Sequence, residues 1–460
     1  MSVKRRLILA ALLLLQLAFV GGVVVYWEGG VLDTEATLFV TNYLDRRPFL
    51  RQIFDPQGND FGNYQARELS YVFDWTDARF LDALFRHGVV LLVPLSSLLG
   101  SLGMLAALPW AARRAFPGLP ATTAALALLV YLSHFVFLSS AGLFYRSGKM
   151  LLVPLLLLLA AVVVATAREG EPGTLGRRLR QAGAVFGLAC LASLLDRQGF
   201  FEVVTIAAIV AVAMLWGRRL RATFAALAAA AVLTTGYNLW LAPALVRRLN
   251  GYEPTFSYQL LDLPKLAHKA VRVQQAGELL GSYAQVLLGG VPAVLLAALL
   301  VVLSVLWLRP RPTRRSRACV LALAALALAA QGLMLVLMIH RFKPMYAFPD
   351  HRLCYYPLVF QGVLLFGLCG VLAAVVGEWG RPARIAVNVA LAAMVVANVA
   401  AWPGDRARAE EGPWLPAQVR QSTLLKRSLE KGAAEPALHE YYRAPLAVLL
   451  ARRSAVRPPG

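Results

Sequence analysis

Apolar runs near 20 residues long recur along the whole chain, separated by short charged or aromatic-rich stretches. A helix of that length crosses roughly 30 Å of hydrocarbon and satisfies its own backbone hydrogen bonds on the way, as lipid requires. The pattern predicts spans at 7–27, 86–107, 119–139, 149–167, 181–195, 200–216, 222–242, 284–308, 318–339, 355–376 and 384–402. That is an all-α polytopic membrane protein with about 11 transmembrane helices. The fifth and sixth runs are short and flank Leu194-Leu195-Asp196-Arg197-Gln198, so they read either as two spans or as a re-entrant pair. No internal repeat is visible, and an odd number of spans argues against a simple two-fold repeat transporter.

Between the first two spans lies 28–85, far longer than a turn between membrane helices needs. It holds Asp33, Glu35, Asp45, Asp55, Asp60, Glu68, Asp74, Asp77 and Asp82, interleaved with Tyr, Trp and Phe. Residues 35–47 predict a short interfacial helix, capped by Asp33 or Thr34. Asp55-Pro56-Gln57-Gly58-Asn59-Asp60 predicts a turn, with Asp60 or Asn63 capping a second helix over 64–84. On that helix Leu69, Val72, Phe73, Thr76, Phe80 and Leu84 form one stripe, and Tyr64, Arg67, Glu68, Tyr71, Asp74 and Trp75 another. The bland expectation is an interfacial helix whose charged stripe meets water. The mixture of Arg, acids and aromatics also suits a sugar or a phosphate.

Composition agrees with the membrane reading. The 460 residues are 59% hydrophobic, and the mean hydropathy is +0.61. The net charge of +21 would fit nucleic acid, but it sits in short clusters between spans, which points to membrane orientation and to no nucleic-acid partner. The clusters at Lys4–Arg6, Arg113/Arg114, Arg168–Arg180, Arg218–Arg221, Arg309–Arg317 and Arg381–Arg384 fall on one side and place the N-terminus in the cytoplasm. The remaining connections (28–85, 140–148, 196–199, 243–283, 340–354 and the tail 403–460) then face outward with nearly all the acids. The organisation expected is a membrane domain over 1–402, with long outer loops 28–85 and 243–283. A short extracytoplasmic tail follows, with one or two surface helices packed on the outer loops.

Several basic residues lie on the expected outer side, against the positive-inside rule. They are Arg67, Arg146, Lys149, Arg197, Lys269, Arg341, Lys343, His351 and Arg352. Snorkelling to headgroups accounts for some of them. The functional expectation is that they converge on an anionic phosphate at the membrane surface. A carboxylate fixed there, Asp33 with Glu35 or Asp60 as alternatives, would serve as general base toward an acceptor hydroxyl. There is no P-loop, dinucleotide fingerprint, H-E-x-x-H or G-x-S-x-G elbow. Carboxylates are plentiful enough for a divalent metal, but no ligand spacing demands one. Cys190, Cys319, Cys354 and Cys369 suggest neither a disulfide frame nor a zinc site.

Asp33-Thr34-Glu35-Ala36 after the first span, and His351-Arg352 with Tyr355-Tyr356-Pro357 opening a late one, resemble the GT-C superfamily of integral-membrane glycosyltransferases. The long first outer loop with two interfacial helices resembles it too. The resemblance implies transfer of a sugar from a polyprenyl-phosphate donor to a saccharide, lipid or protein acceptor on the outer face of a bacterial-type plasma membrane. The chain departs from that pattern in its D-T-E motif, where adjacent acids are usual, and in lacking a large C-terminal soluble domain. A flippase or exporter of lipid-linked saccharides is a rival, though it needs polar groups along its path and these are sparse. A non-catalytic assembly factor is another.

Overall fold

A computed structural model of the chain describes residues 3–60, 63–64, 67–171, 173–215, 220–256, 355–410 and 415–454. The predicted spans 284–308 and 318–339 lie outside them, as do Lys269, Arg341, Lys343, His351 and Arg352. Among the described residues, seven helices are long and apolar enough to cross a membrane, or eight if one bent pair counts as a single span. The protein is therefore a multi-pass helical membrane protein. Of the eleven expected crossings, the nine that fall on described residues compare with these seven or eight.

The helix α1 (Val3–Tyr26) leads to the strand β1 (Val31–Leu32) and then to α2 (Ala36–Leu44), α3 (Phe49–Ile53), α4 (Pro56–Asp60), β2 (Asn63–Tyr64) and α5 (Glu68–Arg86). The second span does not begin at 86. Helix α5 runs to Arg86, the chain turns at Gly88 with φ +82°, and Leu92 N donates to Gly29 O at 2.8 Å before α6 (Leu95–Ala115) starts. Apolarity alone could not place that boundary, because the extended stretch 89–93 is as apolar as the helix after it.

The third run breaks into α7 (Ala121–Leu132) and α8 (Phe135–Ala141), bent by 65°. A break in lipid frees backbone groups that need new partners. Here His134 Nδ1 accepts from Val136 N at 3.2 Å. Trp402 Nε1 donates to Ser133 O at 2.8 Å, and Asn398 Nδ2 donates to Val130 O at 3.0 Å. The strand β3 (Leu143–Phe144) and a 3₁₀ turn (Ser147–Leu151) lead into α9 (Leu152–Glu169).

Neither of the next two helices is short. α10 (Leu175–Leu195) and α11 (Arg197–Leu215) each pass the length and hydropathy requirement for a span, because α10 begins inside the Arg-rich stretch. They meet at a turn so tight that a Cβ on Gly199 would lie 2.0 Å from Ala192 O. Helix α12 (Arg221–Gly236) continues through a π-turn (Tyr237–Leu241) into α13 (Ala242–Asn250), followed by β4 (Thr255–Phe256). Helix α14 (Tyr355–Glu410) breaks at Gly380, φ +69°, and its second arm Gly380–Ala407 is apolar enough to span. The tail forms α15 (Leu415–Lys431) and α16 (Glu440–Ser454).

Two cores result. One runs through the bundle, with Leu128, Leu152, Ala189 and Leu227 at its centre. The other lies between the first loop and the tail, where Phe39, Tyr43, Tyr71 and Phe85 pack against Leu425, Leu429, Tyr442 and Leu449. Two short parallel pairings tie the loops together. Val31 and Leu32 pair with Leu143 and Phe144, and Asn63 and Tyr64 pair with Thr255 and Phe256. The first of these registers carries Asp33 to the turn that holds Tyr145 and Arg146.

Candidate functional site

Helix α5 is turned opposite to the expectation. Its acidic stripe is buried, with Glu68, Tyr71, Asp74, Asp77 and Asp82 inside, whereas Leu69, Val72, Phe73, Thr76, Phe80 and Leu84 are only half covered. The physical reason is partner supply. A carboxylate is costly to bury alone but tolerable when a cation or hydrogen-bond donors meet it: Asp74 has Arg146, Asp82 has Arg86 and Arg452, and Asp77 has the N–H and hydroxyl of Ser96.

Arg146 is the centre of the arrangement. Its Nη1 lies 2.9 Å from Asp74 Oδ2, and the two side chains expose only 2% and 1% of their surface. A second guanidinium nitrogen donates to Asn59 O at the end of α4. The guanidinium also lies 4.9 Å from the Phe39 ring centroid and 5.5 Å from that of Tyr71, an aromatic setting that favours a delocalised cation. To reach this position Arg146 adopts φ +51°, the left-handed region that a bulky side chain occupies only at a cost of order 1 kcal/mol. Strain of that kind persists where the surroundings fix it, and it gathers at functional sites.

Beside this pair, Lys149 Nζ lies 3.4 Å from Asp196 Oδ2, and Arg67 Nη1 lies 3.9 Å from the same oxygen. Burial pushes the Asp196 carboxyl up, but Lys149, Arg67 and Arg197 outweigh it and hold the group below its ordinary value. Four predicted phosphate-binding residues, Arg67, Arg146, Lys149 and Arg197, are thus brought together, and each faces a carboxylate of this chain.

The predicted acids divide. Asp33 has no exposed surface. Its Oδ1 accepts from Glu35 N at 2.7 Å, which starts α2, and its Oδ2 accepts from Gln418 Nε2 at 2.9 Å. Neither Thr34 nor a side chain at Glu35 caps the helix; the Asp33 turn does that work. Glu35 is half-buried and accepts from the Tyr145 hydroxyl at 3.0 Å. Burial, and then the Glu35 charge, push the Tyr145 hydroxyl well above its ordinary value, so it stays a donor. Asp60 closes α4 and does not cap the long helix, which begins only at Glu68.

Asp77 holds α5 to the start of α6. It accepts from Ser96 N at 2.7 Å and meets Ser96 Oγ at 2.5 Å. Burial pushes its carboxyl up to about 8, against the pull of both Ser96 groups, and Asp74 adds to the rise.

An apolar cavity of about 180 Å³ opens between α9, α11 and α14. Its lining runs from Val153, one helical turn past Lys149, to Val164, roughly 16 Å along α9. Glu202 is the charged residue of its lining, among Leu156, Ile206, Ile209, Val359 and Phe366.

The tail residues were not legible as part of this site. Gln418 reaches Asp33, Ser422 Oγ accepts from Leu32 N at 2.9 Å, and the Tyr442 hydroxyl donates to Leu32 O at 2.8 Å. The available signal was the i, i+4 spacing of Gln418 and Ser422 on an amphipathic helix. Among the described residues, no group of three or more His, Cys, Asp or Glu side chains is placed to hold a metal ion. No protein-family model, curated protein or solved structure matches this chain.

Proposed function

We propose that the protein is a membrane glycosyltransferase of the GT-C kind, taking its sugar from a polyprenyl-phosphate carrier at the loop end of the bundle. In this reading the N-terminus is cytoplasmic and the loop end extracytoplasmic. The observation that carries the proposal is one juxtaposition. Buried Arg67 and Arg146 share the surroundings of Tyr145 with Asp33 and Glu35, buried Lys149 and half-buried Arg197 flank Asp196 next to them, and an apolar cavity that suits part of an isoprenoid chain begins one helical turn past Lys149.

The chemistry follows from the charges. The bond from the sugar's anomeric carbon to the carrier phosphate breaks, a bond from that carbon to the acceptor oxygen forms, and the acceptor's proton passes to a carboxylate. The polyprenyl phosphate leaves as an anion, and preorganised cations stabilise that charge as it develops. Asp33 is the first choice for the base. Glu35 is the alternative, because it is the one of the two with surface open to an incoming group.

The test is transfer from radiolabelled polyprenyl-phosphate sugars, in membranes that carry the wild type, Asp33→Asn or Glu35→Gln. Loss of the general base lowers turnover by about 100-fold or more. A loss confined to Asp33→Asn assigns the base to Asp33, and a loss confined to Glu35→Gln moves it there. If the wild type turns over and both variants retain full activity, carboxylate-assisted transfer at this site is wrong.

A further inference from the structure

The residue that sits on Asp33 comes from the far end of the chain. Gln418 is separated from Asp33 by 385 positions and is 2% exposed. Its amide is aimed with its nitrogen at the carboxylate. The other end, Oε1, is covered and has no hydrogen-bond partner among the described residues. A buried acceptor left unmade is costly. The side chain is therefore oriented for Asp33 at the expense of its own satisfaction. The flanking contacts fix the helix that presents it. Ser422, one turn on, clasps Leu32, Tyr442 donates to Leu32 O, and Lys426 Nζ donates to Glu28 O at 2.6 Å.

We propose that Gln418 is a positioning residue for the Asp33 carboxylate, so that the site is built from both ends of the chain. The N–H of a carboxamide favours the charged form of the carboxylate it meets and fixes its orientation. Among the described residues, the other titratable or charged groups near Asp33 include Glu35 on its own segment, Tyr145 and Arg146 from the turn after β3, Arg67 ahead of α5, and Tyr442 from α16. Gln418 is an uncharged side chain whose N–H reaches the Asp33 carboxylate itself. The effect of this residue on turnover rests on the transferase reading; its effect on Asp33 does not.

The experiment is an infrared titration of the full-length protein in detergent, following the carbonyl stretch of protonated carboxyl groups. The Asp33 band is assigned by its absence in Asp33→Asn. In Gln418→Leu the midpoint of that band moves up by about one pH unit, the size expected for losing one hydrogen bond to a charged group. Gln418→Glu, which sets a second carboxylate against the first, moves it further in the same direction. Ser422→Ala loosens the same helix without touching Asp33 and leaves the midpoint in place. An unmoved midpoint in folded Gln418→Leu and Gln418→Glu overturns the proposal, and so does an equal shift in Ser422→Ala. Absence of sugar transfer by the wild type overturns the transferase reading alone, and the position of the band still decides the role of Gln418.

Discussion

At one end of the bundle Arg146 and Asp74 meet at 2.9 Å with almost no exposed surface, while at the other Arg114 and Arg168 meet Glu169 with close to half of each side chain in water. Both arrangements are ion pairs, but they differ in what holds them and in what they hold. The pairs around Glu169 join helix ends, and Glu171 nearby accepts from Ala222 N at 2.6 Å. Water and salt screen such contacts, and each contributes little. At the loop end the Arg146 guanidinium is enclosed by Phe39 and Tyr71, and Asp33, Glu35, Asp74 and Asp196 are each set against a cation or a donor that the fold brings from elsewhere. Enclosure on that scale is poor value as a source of stability, since two buried charges regain little more than they lose in leaving water. It makes sense where charge itself is the working material.

The sharpest way to break this contrast is to remove one member of the buried pair. Arg146→Met takes the guanidinium at 2.9 Å away from Asp74, and breaking a buried pair in this way costs about 3–5 kcal/mol. Arg146→Met with Asp74→Leu removes both charges and restores much of the stability. The measurement is the thermal midpoint in a fixed detergent for the two single variants and the double. If the singles cost no more than a surface pair, the pair is not enclosed as described, and the loop end and its opposite do not differ in kind.

A second effect sharpens the comparison through pH. The Asp77 carboxyl, raised to about 8 in the folded protein, holds its proton there long after the unfolded chain has lost it at the ordinary value near 3.8. Between those values the folded state binds more protons than the unfolded one, so stability falls as pH rises through that window and levels off above it. Asp77→Asn imitates the protonated form. Its carbonyl still accepts from Ser96 N, and its amide donates to Ser96 Oγ, so both contacts survive without a charge. The variant loses the downward slope between about pH 4 and 8 and is the more stable protein at pH 8. A thermal midpoint measured across that range checks both statements. A slope identical to the wild type's would show that Asp77 does not hold its proton.

The same contrast explains which parts of the molecule could be read from its sequence. The spans were legible because lipid imposes one rule on every turn of helix, and α1, α9 and the second arm of α14 sit close to where apolarity puts them. Breaks were not legible. Ser133 and His134 interrupt a run of Leu, Val and Phe only because Asn398 and Trp402, more than 260 residues later, receive the freed groups. The concentration of acids in 28–85 marked a stretch whose carboxylates the fold largely buries. Periodicity also found both stripes of α5, but it assigned the charged one to water. In a soluble protein that rule is sound. Here Asp74 meets Arg146, and Asp82 meets Arg452 as well as its i, i+4 neighbour Arg86; of these cations only Arg86 is announced locally. The tail was expected to pack on the outer loops, but its particular contacts were not legible: the pairing of Gln418 with Asp33 and of Tyr442 with Leu32 exists only once distant parts of the chain have met.

The smallest effect belongs to the other end of the bundle and completes the comparison. Glu169 touches both Arg114 and Arg168, at 3.2 and 2.7 Å, which on a list of contacts looks stronger than the single Arg146–Asp74 pair. Distance is the wrong guide. All three side chains keep more than 40% of their surface in solvent, so their charges are already well hydrated before they meet and lose long-chain freedom on meeting. Glu169→Gln is therefore expected to change stability by less than about 0.5 kcal/mol, and raising the salt concentration removes even that. The measurement is the thermal midpoint of the variant at low and high ionic strength. A loss at low salt comparable to that of Arg146→Met would mean that number of contacts, and not enclosure, sets the strength of these pairs.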